Sequence, residues 1–169
     1  MHEAMPGHYV QLEYANDIQP ETRRLLRNIF GSGSYVEGWA FYVQQMMSDE
    51  GYLNGGKALR LTFLKQALRV LANTILDVRL QTMGMTDQQA LDLMTEQAYQ
   101  EREEATAKLQ RAQLSSCQLP TYYAGWKGWL EVRDRYKQRR GSAFSLREFH
   151  ERALKEGAVP LPLLDGLLQ

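Results

Sequence analysis

The sequence predicts an all-α chain of about seven to nine helices with little or no sheet. Apolar residues recur at three- and four-residue spacing over long stretches, above all between Lys57 and Met83. No segment alternates apolar and polar residues as a half-buried strand would. Helix starts and stops punctuate the chain, with two segments of capping-box form, Thr86-Asp87-Gln88-Gln89 and Ser145-Leu146-Arg147-Glu148.

The elements follow in order. Residues 9–16 have helical spacing and stop at Asn16-Asp17, and Pro20 suits the first turn of a second short helix reaching about Phe30. Gly31-Ser32-Gly33-Ser34 is a loop, and residues 35–50 form a helix rich in aromatics and methionine. After the break at Asn54-Gly55-Gly56 comes the longest helix, Lys57 to Met83, about 40 Å at ~1.5 Å per residue. Its apolar stripe is Leu59, Phe63, Ala67, Val70, Leu71, Thr74 and Val78. A polar stripe of Lys65, Arg69, Asn73, Asp77 and Gln81 runs beside it. Helices then follow from Thr86 and on to about Leu114, over the aromatic-then-basic segment 121–139, and from Ser145 until Gly157 and Pro160 end the last.

At 169 residues and 44% hydrophobic, the chain is expected to form a single helical domain with its own core. Twenty Lys and Arg balance twenty Asp and Glu, which argues against a nucleic-acid partner and against a polybasic membrane anchor. No apolar run is long enough to span a bilayer, and the lone Cys117 excludes an intramolecular disulfide or a multi-cysteine zinc site. Residues 1–50 carry three basic and seven acidic residues, and they also hold two of the three histidines.

Those two histidines lie in His2-Glu3-Ala4-Met5-Pro6-Gly7-His8. A His-Glu pair followed by a second His one or two turns later is the signature of zinc peptidases. The imidazoles bind the ion, and the Glu beside the first is general base towards water. The usual spacing is i, i+4, which keeps both rings within ~40° around a helix; i+6 puts them ~120° apart. A shared ion at His2 and His8 therefore requires a helix break or bulge at Met5–Gly7. Pro6 breaks the hydrogen-bond ladder and Gly7 tolerates unusual backbone angles. The alternative is a helix that ends at Met5, with His8 packing in the next one. A third ligand is expected to be a carboxylate, and Glu37 in Ser34-Tyr35-Val36-Glu37 is the candidate, although Ser34-x-x-Glu37 is also a capping box.

Three segments together, HEAMPGHYVQ, EGWAFYV and FHERALKEGAVPLPLL, resemble the bacterial DUF885 family over essentially the whole chain. Its members carry a His-Glu-x-x-Pro-Gly-His motif and are similar to largely helical zinc metallopeptidases. The resemblance implies a helical metallopeptidase-like catalytic fragment, with one Zn²⁺ held by His2, His8 and Glu37, and Glu3 as base. It also implies that this chain matches the C-terminal third or so of a longer protein. The missing N-terminal portion would then be a partner, and the compartment is left open between cytoplasm and periplasm or secretion. Many members have a second His directly after the motif, where this chain has Tyr9.

Thr121-Tyr122-Tyr123-Ala124-Gly125 is similar to a family segment with a Tyr three residues before a Gly, which points to Tyr122 as an oxyanion donor. The alternative is that Tyr122 is a packing aromatic. If the polar stripe lines a cleft, Arg69 could hold a substrate carboxylate and Asp77 could orient a ligand His from behind. Otherwise the stripe is a solvated face. His150 is either a structural histidine or an approach to the site from the C-terminal helix. The run Arg133, Arg135, Lys137, Arg139, Arg140 reads as a solvated helix end.

The expected function is zinc-dependent peptide hydrolysis, incomplete in this chain alone. With its first ligand at the second residue, the site is exposed to fraying, and loss of the ion from the isolated chain is one expected outcome. Two other readings stay open: a non-catalytic helical interaction or scaffold domain, and a metal hydrolase acting on other amides or esters.

Overall fold

The computed structural model describes residues 1–169, and the chain is helical throughout with no strand. Its nine helices are α1 (His8–Asn16), α2 (Glu21–Ile29), α3 (Gly33–Asp49), α4 (Lys57–Thr82), α5 (Asp87–Asp92), α6 (Arg102–Leu114), α7 (Pro120–Arg140), α8 (Leu146–Lys155) and α9 (Leu161–Leu167). The chain divides into two compact units, one of residues 1–46 with 124–169 and one of residues 47–123.

The first unit has an aromatic core. Tyr35, Trp39 and Tyr42 of α3 meet Trp129 and Tyr136 of α7 and Phe149 of α8, all buried. Their polar tips are satisfied internally, as buried phenols and indoles require. The Tyr35 hydroxyl donates to the Ala153 carbonyl at 3.0 Å, and the Trp129 indole N–H donates to the Tyr35 carbonyl at 2.9 Å. Two small residues bring α3 and α7 together: a Cβ on Gly38 would overlap the backbone of Gly125, and one on Gly125 would overlap the Ser34 carbonyl oxygen. The two helices cross in backbone contact, which no larger residue permits.

The second unit packs Ala72 and Leu76 of α4 against Ala90, Leu93, Met94, Ala105 and Leu109. Here α4 departs from the expected pattern. Phe63, Ala67 and Val70 are buried, whereas Val78 is 47% exposed, and buried Ala72 and Leu76 extend the covered face. The polar stripe is only partly a solvated face: Lys65 and Gln81 are exposed, Arg69 is half-buried, and each has a partner. Lys65 lies 3.9 Å from Glu101, Arg69 pairs with Glu104, and Gln81 donates to the carbonyls of Ala112 and Ser115. Asn73 and Asp77 are buried within this seam. The neighbouring helix and its C-terminal turn supply partners to Arg69 and Gln81, while Asn73 Oδ1 and Asp77 Oδ1 are buried without a hydrogen bond. The opposite side of α4 is apolar as well, with Leu61, Leu64, Leu68, Ile75 and Val78 exposed at three- and four-residue steps.

The helix ends follow their sequence signals with two amendments. Thr86 and Gln89 form a reciprocal capping box. Ser145 accepts from the Glu148 N–H, but the Glu148 carboxylate turns away to the Tyr136 hydroxyl and Arg140, so that box is half closed. Beyond Pro160 the chain re-enters a helix, α9, because proline is compatible with a helix start as well as a stop. The basic end of α7 is not simply solvated, since Arg135 and Arg139 both pair with Asp165 of α9.

Gly38→Ala and Gly125→Ala are each expected to destabilise the protein by about 2 kcal/mol or more, because one methyl group must separate two touching backbones. Leu64→Gln, on the exposed side of α4, should stay within about 0.5 kcal/mol of wild type in the same denaturant titrations. Equal losses for all three would contradict this packing.

Candidate metal centre

The motif segment is not helical between Glu3 and Gly7, and α1 begins only at His8. Two backbone bonds close the segment: the His8 N–H donates to the His2 carbonyl at 2.9 Å, and the Tyr9 N–H donates to the Glu3 carbonyl at 3.1 Å. Both span six residues where an α-helix spans four. Two residues are thus looped out, and His8 stands over His2 roughly as an i+4 residue would. The ring centroids are 4.9 Å apart with planes at 89°.

Gly7 is required for this closure, since a Cβ there would overlap the carbonyl oxygens of His2 and Met1. Trp39 holds the loop from the core side. Its indole N–H is shared between the carbonyls of Pro6 (3.0 Å) and Gly7 (3.2 Å). Pro6 therefore contributes a freed acceptor as well as a break in the ladder.

Glu37 reaches both rings. Its Oε2 lies 3.8 Å from His2 Nε2 and 3.5 Å from His8 Nε2, with the three side chains 17–26% exposed. The capping alternative does not hold, because α3 starts at Gly33 and Ser32 Oγ accepts from the Tyr35 N–H at 3.4 Å. Glu37 sits one turn inside the helix, next to the crossing at Gly38. Glu3 completes the group: His2, Glu3 and His8 each offer a ligand atom within 4.8 Å of the others.

The donor set fits a divalent transition metal. Bonds of ~2.05 Å in a tetrahedron separate neighbouring ligand atoms by ~3.3 Å, close to the 3.5 and 3.8 Å found between Glu37 and the two imidazoles. Two imidazoles with a carboxylate suit zinc better than magnesium or calcium, which prefer oxygen. Glu37 is anchored on a helix, whereas Glu3 is exposed on the loop, and both carboxylates lie within reach of the two imidazoles.

A family model described as bacterial proteins of unknown function, DUF885, matches residues 1–168. The chain belongs to the DUF885 family. It is 44% identical to a candidate lipoprotein of unknown function from Shewanella oneidensis, at a TM-score of 0.91 over 99% of this chain and 30% of that one. It is 30% identical to a candidate lipoprotein from Colwellia psychrerythraea, at a TM-score of 0.90 over 99% of this chain and 28% of that one. The DUF885 chain thus spans less than a third of the length of these two relatives. No curated protein matches it.

The remaining candidate residues of the DUF885 chain have partners of their own. Arg69, Asp77 and Tyr122 belong to the second unit. There Arg69 pairs with Glu104, Asp77 Oδ2 accepts from the Cys117 N–H at 2.9 Å, and the Tyr122 hydroxyl accepts from Gln118 at 3.3 Å. His150 lies in the first unit within the aromatic core. Its Nε2 is 2.8 Å from the Tyr42 hydroxyl, and its ring stands edge-on to Trp39. Burial, with the Arg133 charge adding to it, pushes its pKa down to about 4, so the ring is neutral at physiological pH. Sequence reasoning missed Gly38, Gly125 and Trp39 as supports. Only the strained i+6 spacing announced that some group must hold the loop.

Two outcomes follow for this site. Gly7→Ala should disrupt the loop, so the His8 and Tyr9 amides should lose hydrogen-exchange protection by about 10-fold, the worth of one backbone hydrogen bond. His150 stays neutral in the folded state down to about 4, while the unfolded chain takes up a proton near 6.5. Stability should therefore fall as pH drops from about 6.5 towards 4, by up to about 3 kcal/mol. Denaturant titrations across this range should show a shallower fall for His150→Gln, and an identical slope would refute the buried neutral ring.

Proposed function

We propose that this chain carries the metal-binding and proton-transfer residues of a zinc-dependent hydrolase that cleaves peptides, and that the longer family protein is the working enzyme. The observation that supports this reading best is the convergence of His2, His8 and Glu37, with Glu3 adjoining. The separation of these groups along the sequence is overcome only by a loop that the surrounding residues are shaped to hold.

In this reading His2 and His8 bind through Nε2 and Glu37 through Oε2. A bound zinc ion supplies Lewis acidity, polarising the scissile carbonyl and making water acidic enough to lose a proton near neutral pH. The Glu3 carboxylate accepts that proton as the water attacks the carbonyl carbon, then returns it to the leaving amine. Exposure of Glu3 suits a group that must meet both water and substrate. An apolar cleft of about 450 Å³ adjoins the loop at Pro6 and is lined by Val10, Tyr14, Trp39, Met46 and neutral His150. Such a cleft suits an apolar side chain of a peptide.

The reading is tested on the full-length family protein. Elemental analysis should find one zinc per chain in wild type and in Glu3→Gln, and strongly reduced zinc in His8→Ala and Glu37→Ala. Glu3→Gln should lose peptide cleavage by at least about 100-fold, the scale of a general base. A wild-type protein that holds no zinc after incubation with the ion would exclude this function and leave the helical scaffold reading. Cleavage of esters but not of a blocked-peptide library would move the substrate class.

A further inference from the structure

Gln44 stands two helical turns after Glu37 on α3, so one face of that helix presents both side chains to the motif loop. Its amide nitrogen lies 2.7 Å from His2 Nδ1 and 3.3 Å from the carbonyl oxygen of Ala40. Both contacts are with acceptors when the nitrogen occupies this place. The Ala40 carbonyl can only accept, so the nitrogen end of the amide is the one that suits this place; an amide oxygen here would sit against it. With the amide nitrogen facing it, His2 Nδ1 accepts and the ring proton sits on Nε2, the atom that lies 3.8 Å from Glu37 Oε2.

A cation bound at Nε2 needs the lone pair that this proton occupies. The ring proton must then reside on Nδ1, where it would meet an N–H of Gln44. Only the amide oxygen can accept it. We propose that Gln44 is a positioning residue that sets the tautomer of His2, and that its amide turns over when a metal ion is bound at Nε2. The amide gives up the Ala40 contact on turning and gains the Nδ1–H. With its nitrogen beside the Ala40 carbonyl the amide favours a proton on Nε2, so it tunes affinity in addition to orienting the ring. This inference rests on the metal reading above.

The test combines nitrogen NMR of His2 with zinc titration against a competing chelator, on wild type, Gln44→Glu and Gln44→Met. In metal-free wild type the His2 proton should be on Nε2, and zinc should move it to Nδ1. Gln44→Glu, which can only accept, should place the proton on Nδ1 without metal and tighten zinc binding by about 10-fold or more. Gln44→Met should show mixed tautomers and bind zinc at least about 10-fold more weakly than Gln44→Glu. A proton already on Nδ1 in metal-free wild type would overturn the proposal, as would three dissociation constants within a factor of two. Absence of zinc binding in all three proteins would instead overturn the metal reading; the tautomer assignment would then be decided by the metal-free spectra alone.

Discussion

The candidate centre depends on a backbone closure, the pair of bonds from the His8 and Tyr9 N–H groups to the carbonyls of His2 and Glu3. Side-chain chemistry is secondary to it. Without this closure the two imidazoles project about a third of a turn apart and no carboxylate on α3 can meet both. The closure itself is not locally stable. It leaves the Pro6 carbonyl outside the helical ladder, and a buried acceptor of that kind must find a donor. Trp39 supplies that N–H and shares it with the Gly7 carbonyl, which also accepts from the Gln11 N–H at 3.2 Å. Trp39 in turn is held among Tyr42, Trp129 and His150. The loop therefore inherits its geometry from the aromatic core of the first unit.

The same core places the carboxylate. Glu37 and Gly38 are neighbours on α3, and the approach of α3 to α7 at Gly38 and Gly125 fixes the height of that turn. Glu37 is one residue from a backbone contact, so its Cα has little freedom, and its side chain needs only its own rotamers to reach both rings. A ligand set built in this way shares its rigidity with the fold. Two glycines with no polar atoms in their side chains do as much for the site as the residues that would touch an ion.

Much of the fold was legible because helix ends are local. The breaks at Asn54-Gly55-Gly56 and Thr86, and the long helix between them, depend on residues within a few positions of each other. What local signals could not show was which face of a helix meets which neighbour. On α4 the polar row from Lys65 to Gln81 looks like a solvated face until α6 supplies Glu104 to Arg69 and its C-terminal carbonyls to Gln81. The site divides along the same line. The pairing of His2 with His8 and the need for a break at Met5–Gly7 follow from spacing, whereas the roles of Trp39, Gly125 and Gln44 depend on contacts across more than thirty residues.

The contrast between His150 and the motif histidines shows why residue type alone identifies neither. All three are partly buried imidazoles within the first unit. His150 faces a neutral phenol and a ring edge, and burial together with Arg133 suppresses its charge. Such an environment stabilises a neutral ring but offers no second ligand for an ion. His2 and His8 face a carboxylate and each other, an arrangement whose donor atoms would suit a divalent cation. The chemistry a histidine can perform here is decided by what the helices carry to its Nε2, a hydroxyl in one case and the oxygen of Glu37 in the other.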